Sequence, residues 1–130
     1  MATLRTLLSS LDGRTGEIAR TVEREIQAIA PYAELGLAMG VPTWHLHDRV
    51  VSLIPLATRC QLHFWQGDQL ALQFPGILQA TKAGPMRFIQ LSSMLDVNAQ
   101  VKEVIAAAFS LQIAALARED HTSVRKGAFS

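Results

Sequence analysis

Hydrophobic positions change their period twice along this chain. Leu4, Leu7, Leu8 and Leu11 recur at spacings of three and four, which predicts a short amphipathic helix ended by Asp12-Gly13. Ile18, Val22, Ile26, Ile29 and Ala30 then fall on one stripe, with Arg14, Glu17, Arg20, Glu23, Arg24 and Gln27 around the rest. That pattern predicts a second helix laid on a core, with Thr15 as its N-cap and Pro31 near its end.

After Gly40 the period falls to two. Thr43 to His47 alternates, Asp48-Arg49 reads as a tight turn, and Val50 to Ile54 returns. Residues 55–58 make a second turn before Cys60 to Trp65. These loops place His47 opposite Val50, Trp44 opposite Leu53 and Val50 opposite His63. Directly opposed residues share a face. One face then collects Trp44, Leu46, Val51, Leu53, Cys60, Leu62 and Phe64. The other collects His45, His47, Val50, Ser52, Gln61, His63 and Trp65. The separation of an apolar face from a mixed one supports a three-stranded meander.

The stretch 70–84 holds Phe74-Pro75-Gly76 and Ala83-Gly84-Pro85 and reads as a long connection with room for one helical turn. Met86 to Leu91 is the last strand. Ser93 and Asp96 resemble a capping box, opening a helix lined by Val97, Val101, Val104, Ile105 and Ala108 that runs to about Arg118. The polar residues 119–130 predict a flexible C-terminal tail. Together these elements predict an α+β fold as a single domain over residues 1–118. It has a small antiparallel sheet of about 4–5 strands, with N-terminal helices and a long C-terminal helix packed on it.

Composition narrows the function classes. Of the 130 residues 49% are hydrophobic and 18% charged, ample for a core, so disorder is excluded for most of the length. A net charge of +1 supplies no basic field, which argues against nucleic acid and membrane surfaces as partners. No window reads as approaching the roughly 18 apolar residues of a membrane span. With Cys60 as the single cysteine no internal disulfide forms, and a cytoplasmic location is the default. Cys60 falls on the apolar face and reads as a small core residue.

Candidate chemistry lies on the mixed face. His45, His47 and His63 share it, and three imidazoles form a possible open site for iron or zinc. Against this, the His47 and His63 backbones would stand roughly 10 Å apart, and no carboxylate or thiolate joins them. The plainer reading is a partly solvated strand face, with no cofactor. Trp65, on the same face, suits the cover of a pocket or an interface. Ser52 lacks an acidic third member for nucleophilic catalysis, and the turn aspartates Asp48 and Asp68 supply no carboxylate pair. Thr81-Lys82-Ala83-Gly84-Pro85 is neither a Walker loop nor a dinucleotide fingerprint. Phe109, Leu111, Ile113 and Leu116 spread beyond one stripe of the last helix, which allows a homodimer.

The order of several short motifs resembles the YdhG-like family, a domain of unknown function. Val41-Pro42-Thr43-Trp44 is similar to its "MPxW", and Leu62-His63-Phe64-Trp65-Gln66-Gly67-Asp68-Gln69-Leu70 to its "LxFxxGxxL". Pro75-Gly76-Ile77-Leu78 and Met86-Arg87-Phe88-Ile89 follow in the same order, so the resemblance spans roughly residues 17–111. The "GxGK" that precedes the arginine there is replaced by Thr81-Lys82-Ala83-Gly84. The resemblance implies a compact bacterial α+β domain, and some relatives carry the label of frataxin-like iron chaperone. Such iron handling needs an acidic ridge, whereas the acidic residues here are scattered among arginines. The leading expectation is a non-enzymatic module that binds a small molecule or protein through His45, His63 and Trp65, or through the loop before Arg87. Metal handling and an enzyme with an unrecognised site are the alternatives.

Overall fold

The computed structural model describes residues 11–82 and 84–129, with side chains as far as Glu119. The helix expected on Leu4, Leu7 and Leu8 lies outside these residues. Helix α1 spans Gly13–Ile29 and buries Ile18, Ala19, Val22 and Ile26 completely. Asp12 occupies its N-cap position. Thr15 sits inside the first turn instead, and its hydroxyl donates to the Leu56 carbonyl at 2.7 Å, tying the helix start to a turn of the sheet.

The sheet is antiparallel and has six strands. They are β1 Glu34–Ala38, β2 Val41–Leu46, β3 Asp48–Pro55, β4 Cys60–Phe64, β5 Gln79–Ala80 and β6 Arg87–Leu91. Their spatial order is β1-β2-β3-β4-β6-β5. The α+β class and the flanking helices agree with the sequence reading, while β1 and β5 are additions to it. Residues 34–38 carry no β-branched side chain and include Gly36, so they become a strand through pairing with β2. The expected long connection holds a helix, α2 (Gly67–Gln73), and the two-residue β5.

Both inner registers slip by two residues from those read in the sequence. Trp44 opposes Val51 rather than Leu53, and Ser52 rather than Val50 opposes His63. A slip of two leaves every side chain on its face. Trp44, Val51, Leu53, Cys60, Leu62 and Phe64 are accordingly all buried, whereas His63, Ile54 and Gln61 on the other face are only half-buried. The separation of faces was therefore insensitive to this error except at Val50, which was read onto the mixed face but lies at the bulge and is buried in the core beside Ala108 and Gln112 of the long helix. The β2–β3 hairpin reverses at His47, which takes a left-handed φ of 67°, and not at Asp48-Arg49. A bulge between Trp44 and His45 shortens the register by one more residue.

Helices α1 and α3 (Ala99–Phe129) cover the apolar face and touch each other across it. Ser93 and Asp96 do form a capping box, but on a short 3-10 turn, Met94–Asp96. The long helix opens one step later, where Asn98 Oδ1 accepts from the Val101 amide at 3.0 Å. It runs to Phe129, past the end near Arg118 that the sequence predicts. Its segment Ala99–Glu119 has a mean hydropathy of 1.3, long and apolar enough to cross a membrane, contrary to the window reading. Here Val101, Val104, Ile105, Ala108 and Phe109 are buried in the domain core. Phe109 meets Tyr32 edge-on with centroids 6.3 Å apart, whereas Ile113 is exposed.

Two contacts fix the ends of the sheet. Gln112, buried on α3, donates from Nε2 to the Leu46 carbonyl at 2.9 Å and accepts from Gln66 Nε2 at 3.1 Å. Gly67 opens α2 directly against the backbone of Arg87, where a Cβ would overlap the Arg87 amide nitrogen. With Leu62, Phe64 and Leu70 fully buried, the motif Leu62-x-Phe64-x-x-Gly67-x-x-Leu70 is a packing device. It seats α2 beside β6.

Candidate functional site

The sheet face that no helix of the described residues covers carries a chain of hydrogen bonds with only one possible direction. Trp65 follows β4, and its amide extends the ladder by donating to the Val50 carbonyl at 3.1 Å. Its indole Nε1 donates to Ser52 Oγ at 2.8 Å. Ser52 Oγ lies 2.6 Å from Thr43 Oγ1, and Thr43 Oγ1 donates to the Val41 carbonyl at 3.0 Å. Thr43 has one proton, already given to Val41, so the Ser52 proton goes to Thr43. Ser52 and Thr43 are both buried, and the relay satisfies them. It also pins the indole, with the Arg49 guanidinium 4.2 Å from the Trp65 ring centroid.

Beside this relay lies a half-open cavity of about 260 Å³. Val41 of β2, Ser52 and Ile54 of β3, His63 of β4 and Trp65 just after it form its floor. Ala38 at the end of β1 and Met39 of the β1–β2 turn line one rim, and Thr81 and Met86 of the β5–β6 connection the other. Thr81 holds that connection by donating to the Met86 carbonyl at 3.2 Å. Among the described residues no charged side chain lines the cavity.

His63 is set by its neighbours across the strands. Its ring stacks on Phe88 of β6 with centroids 5.2 Å apart and planes 13° from parallel. Burial lowers its imidazole below the ordinary value of 6.5, because the charged form loses hydration there. The ring is therefore neutral at pH 7. Nε2 lies 3.0 Å from Gln61 Oε1, which can only accept, so Nε2 carries the proton and Nδ1 keeps a lone pair.

Met39 is a local anomaly at the rim. It and Gly40 take left-handed φ values of 52° and 80°, as a two-residue hairpin of the mirror-image type demands. Asparagine or glycine suits the first of these positions, and methionine is strained there. Met39 is also 85% exposed, so core packing does not account for it.

The remaining expected residues lie elsewhere. The bulge and the left-handed His47 carry His45 and His47 into a separate cavity of about 250 Å³ with Tyr32, Glu34 and Leu46. His45 Nδ1 is 3.1 Å from the Thr43 carbonyl, and its ring lies over Gly36. His63 does not join them. Among the described residues no group of three or more His, Cys, Asp or Glu is placed to hold a metal ion. Arg87 Nη1 donates to the Gly84 and Met86 carbonyls at 3.0 Å each, which braces the β5–β6 loop. Cys60 is buried with its thiol pushed up to about 11, an unreactive core residue.

The sequence reading placed Ser52, His63 and Trp65 on one face but missed Met39, Val41, Ile54 and Met86. One signal for Met39 was available: Met-Gly stands where a two-residue hairpin favours Asn-Gly. The chain matches no family model, and neither a curated protein nor a solved structure is significantly similar to it.

Proposed function

We propose that this protein is a small-molecule binding module whose site is the cavity between Met39, His63 and Trp65. The observation that carries this reading is an apolar cavity of about 260 Å³ on the sheet face that no helix of the described residues covers. Ligand sites are concave, mostly apolar and equipped with a few fixed polar groups, at volumes of about 300–1,000 Å³. This one sits just below that range, which suits a fragment-sized ligand. The strained, exposed Met39 at its rim adds support, since backbone strain clusters at ligand sites.

Binding is favoured over catalysis by the state of the polar groups. The Ser52 proton is committed to Thr43, and no carboxylate of the described residues reaches His63 to make it a strong base. Iron handling has less support, because His63 lines a different cavity from His45 and His47.

A fragment screen by protein-observed NMR tests the reading. Hits are expected to shift the Trp65 indole N–H resonance and to be lost in Val41→Trp, which fills the cavity. Hits that leave Trp65 unmoved, or that bind the filled variant equally well, overturn it.

A further inference from the structure

The polar groups of the cavity share one property: their protons are already engaged. The Trp65 N–H goes to Ser52, the Ser52 hydroxyl to Thr43, and Nε2–H of His63 to Gln61. What His63 and Ser52 can still offer is lone pairs, Nδ1 on the first and the second pair of Oγ on the second. A ligand that supplies an N–H or O–H can meet them. Among the described lining side chains a carboxylate or phosphate meets no uncommitted donor and no cation, so its desolvation goes uncompensated. A cation is also disfavoured, as no carboxylate of the described residues lines the cavity.

Size and wall chemistry narrow the class further. An enclosed apolar cavity of about 150 Å³ takes up benzene, so about 260 Å³ has room for two fused rings. Two thioethers, Met39 and Met86, flank the opening beside Trp65 and His63. Methionine sulfur and aromatic faces both favour flat, polarisable ligands.

We infer that the cavity selects an uncharged aromatic ligand of one or two rings bearing an N–H or O–H, which donates to Nδ1 of His63. This inference rests on the cavity being the binding site. The cavity accepts that chemistry and rejects ions of either sign and donor-free analogues.

The test uses the full chain and four probes at pH 7.5: indole, 1-methylindole, naphthalene and indole-3-carboxylate. Affinity is read by ligand titration, and location by the Trp65 indole N–H resonance. Indole is expected to bind about tenfold tighter than 1-methylindole or the carboxylate, the scale of one unmade hydrogen bond. His63→Phe, which keeps the stacking on Phe88 but removes the acceptor, should bring indole and 1-methylindole within about twofold of each other. The wild-type comparison needs no variant, so misfolding of His63→Phe leaves the test intact. Probes that shift Trp65 with no preference for indole, or with preference for the carboxylate, overturn the ligand class but leave the site standing. Four probes that all leave Trp65 unmoved overturn both.

Discussion

Neighbouring residues of the same strands build two unlike surfaces. Leu53 points into the helix-covered face and is fully buried, while Ile54, the next residue, lies half-buried beside the cavity. On the covered face Trp44, Val51, Leu62 and Phe64 pack against helices α1 and α3 in one apolar cluster. On the other face Thr43, Ser52 and Trp65 are linked by hydrogen bonds, and a space of about 260 Å³ is left unfilled. One face is arranged for stability, the other to hold a shape open. Close packing resists any loss of volume, whereas a directed hydrogen-bond chain keeps Trp65 fixed without filling the space beside it.

The strongest way to break this comparison is a pair of neighbouring truncations. Leu53→Ala is expected to cost about 2–5 kcal/mol by leaving a cavity in the packed core, and Ile54→Ala about 1 kcal/mol or less. Urea denaturation of both variants measures the difference, and equal losses would show that the faces do not differ in this way. A second substitution probes the polar clamp at the covered side. Gln112→Leu strands the Leu46 carbonyl and the Gln66 amide, at a cost of about 1–3 kcal/mol by the same measurement.

The open face should respond in the opposite sense. Met39→Asn places a residue suited to the left-handed turn and is expected to stabilise the fold by up to about 1 kcal/mol. It should also weaken fragment binding, since the thioether at the rim is lost. A stabilised variant with undiminished binding would remove Met39 from the site. The smallest effect expected is that of pH. Burial lowers the His63 imidazole, so its contribution to stability is present above about pH 6.5 and is lost as pH falls through the folded value. In denaturation curves at pH 7.5 and pH 5, His63→Phe should lose less stability on acidification than the parent. An equal loss would mean that His63 titrates alike in both states.

Much of the fold was legible because alternation is a strong signal. The division of Trp44, Leu53, Cys60, Leu62 and Phe64 from Ser52, His63 and Trp65 survived two register errors, each an even slip that preserves the face. The three-histidine cluster did not survive. A bulge after Trp44 and a left-handed turn at His47 dislocate the end of β2, and no periodicity records such single-residue events. Edge strand β1 was also missed, because Leu35, Gly36 and Leu37 have little strand preference of their own.

The sequence by itself determined the class of the domain, the stripe of α1, the apolar face of the meander and the burial of Trp44, Phe64 and Cys60. These follow from local period, which a single strand or helix carries within itself. Tertiary structure alone decided that Ser52, Thr43 and Trp65 share one proton relay, that His63 stands neutral against Phe88, and that Met39 and Met86 line one cavity. The physical reason is that each of these depends on pairing between strands, and pairing is fixed by the summed packing of the whole sheet.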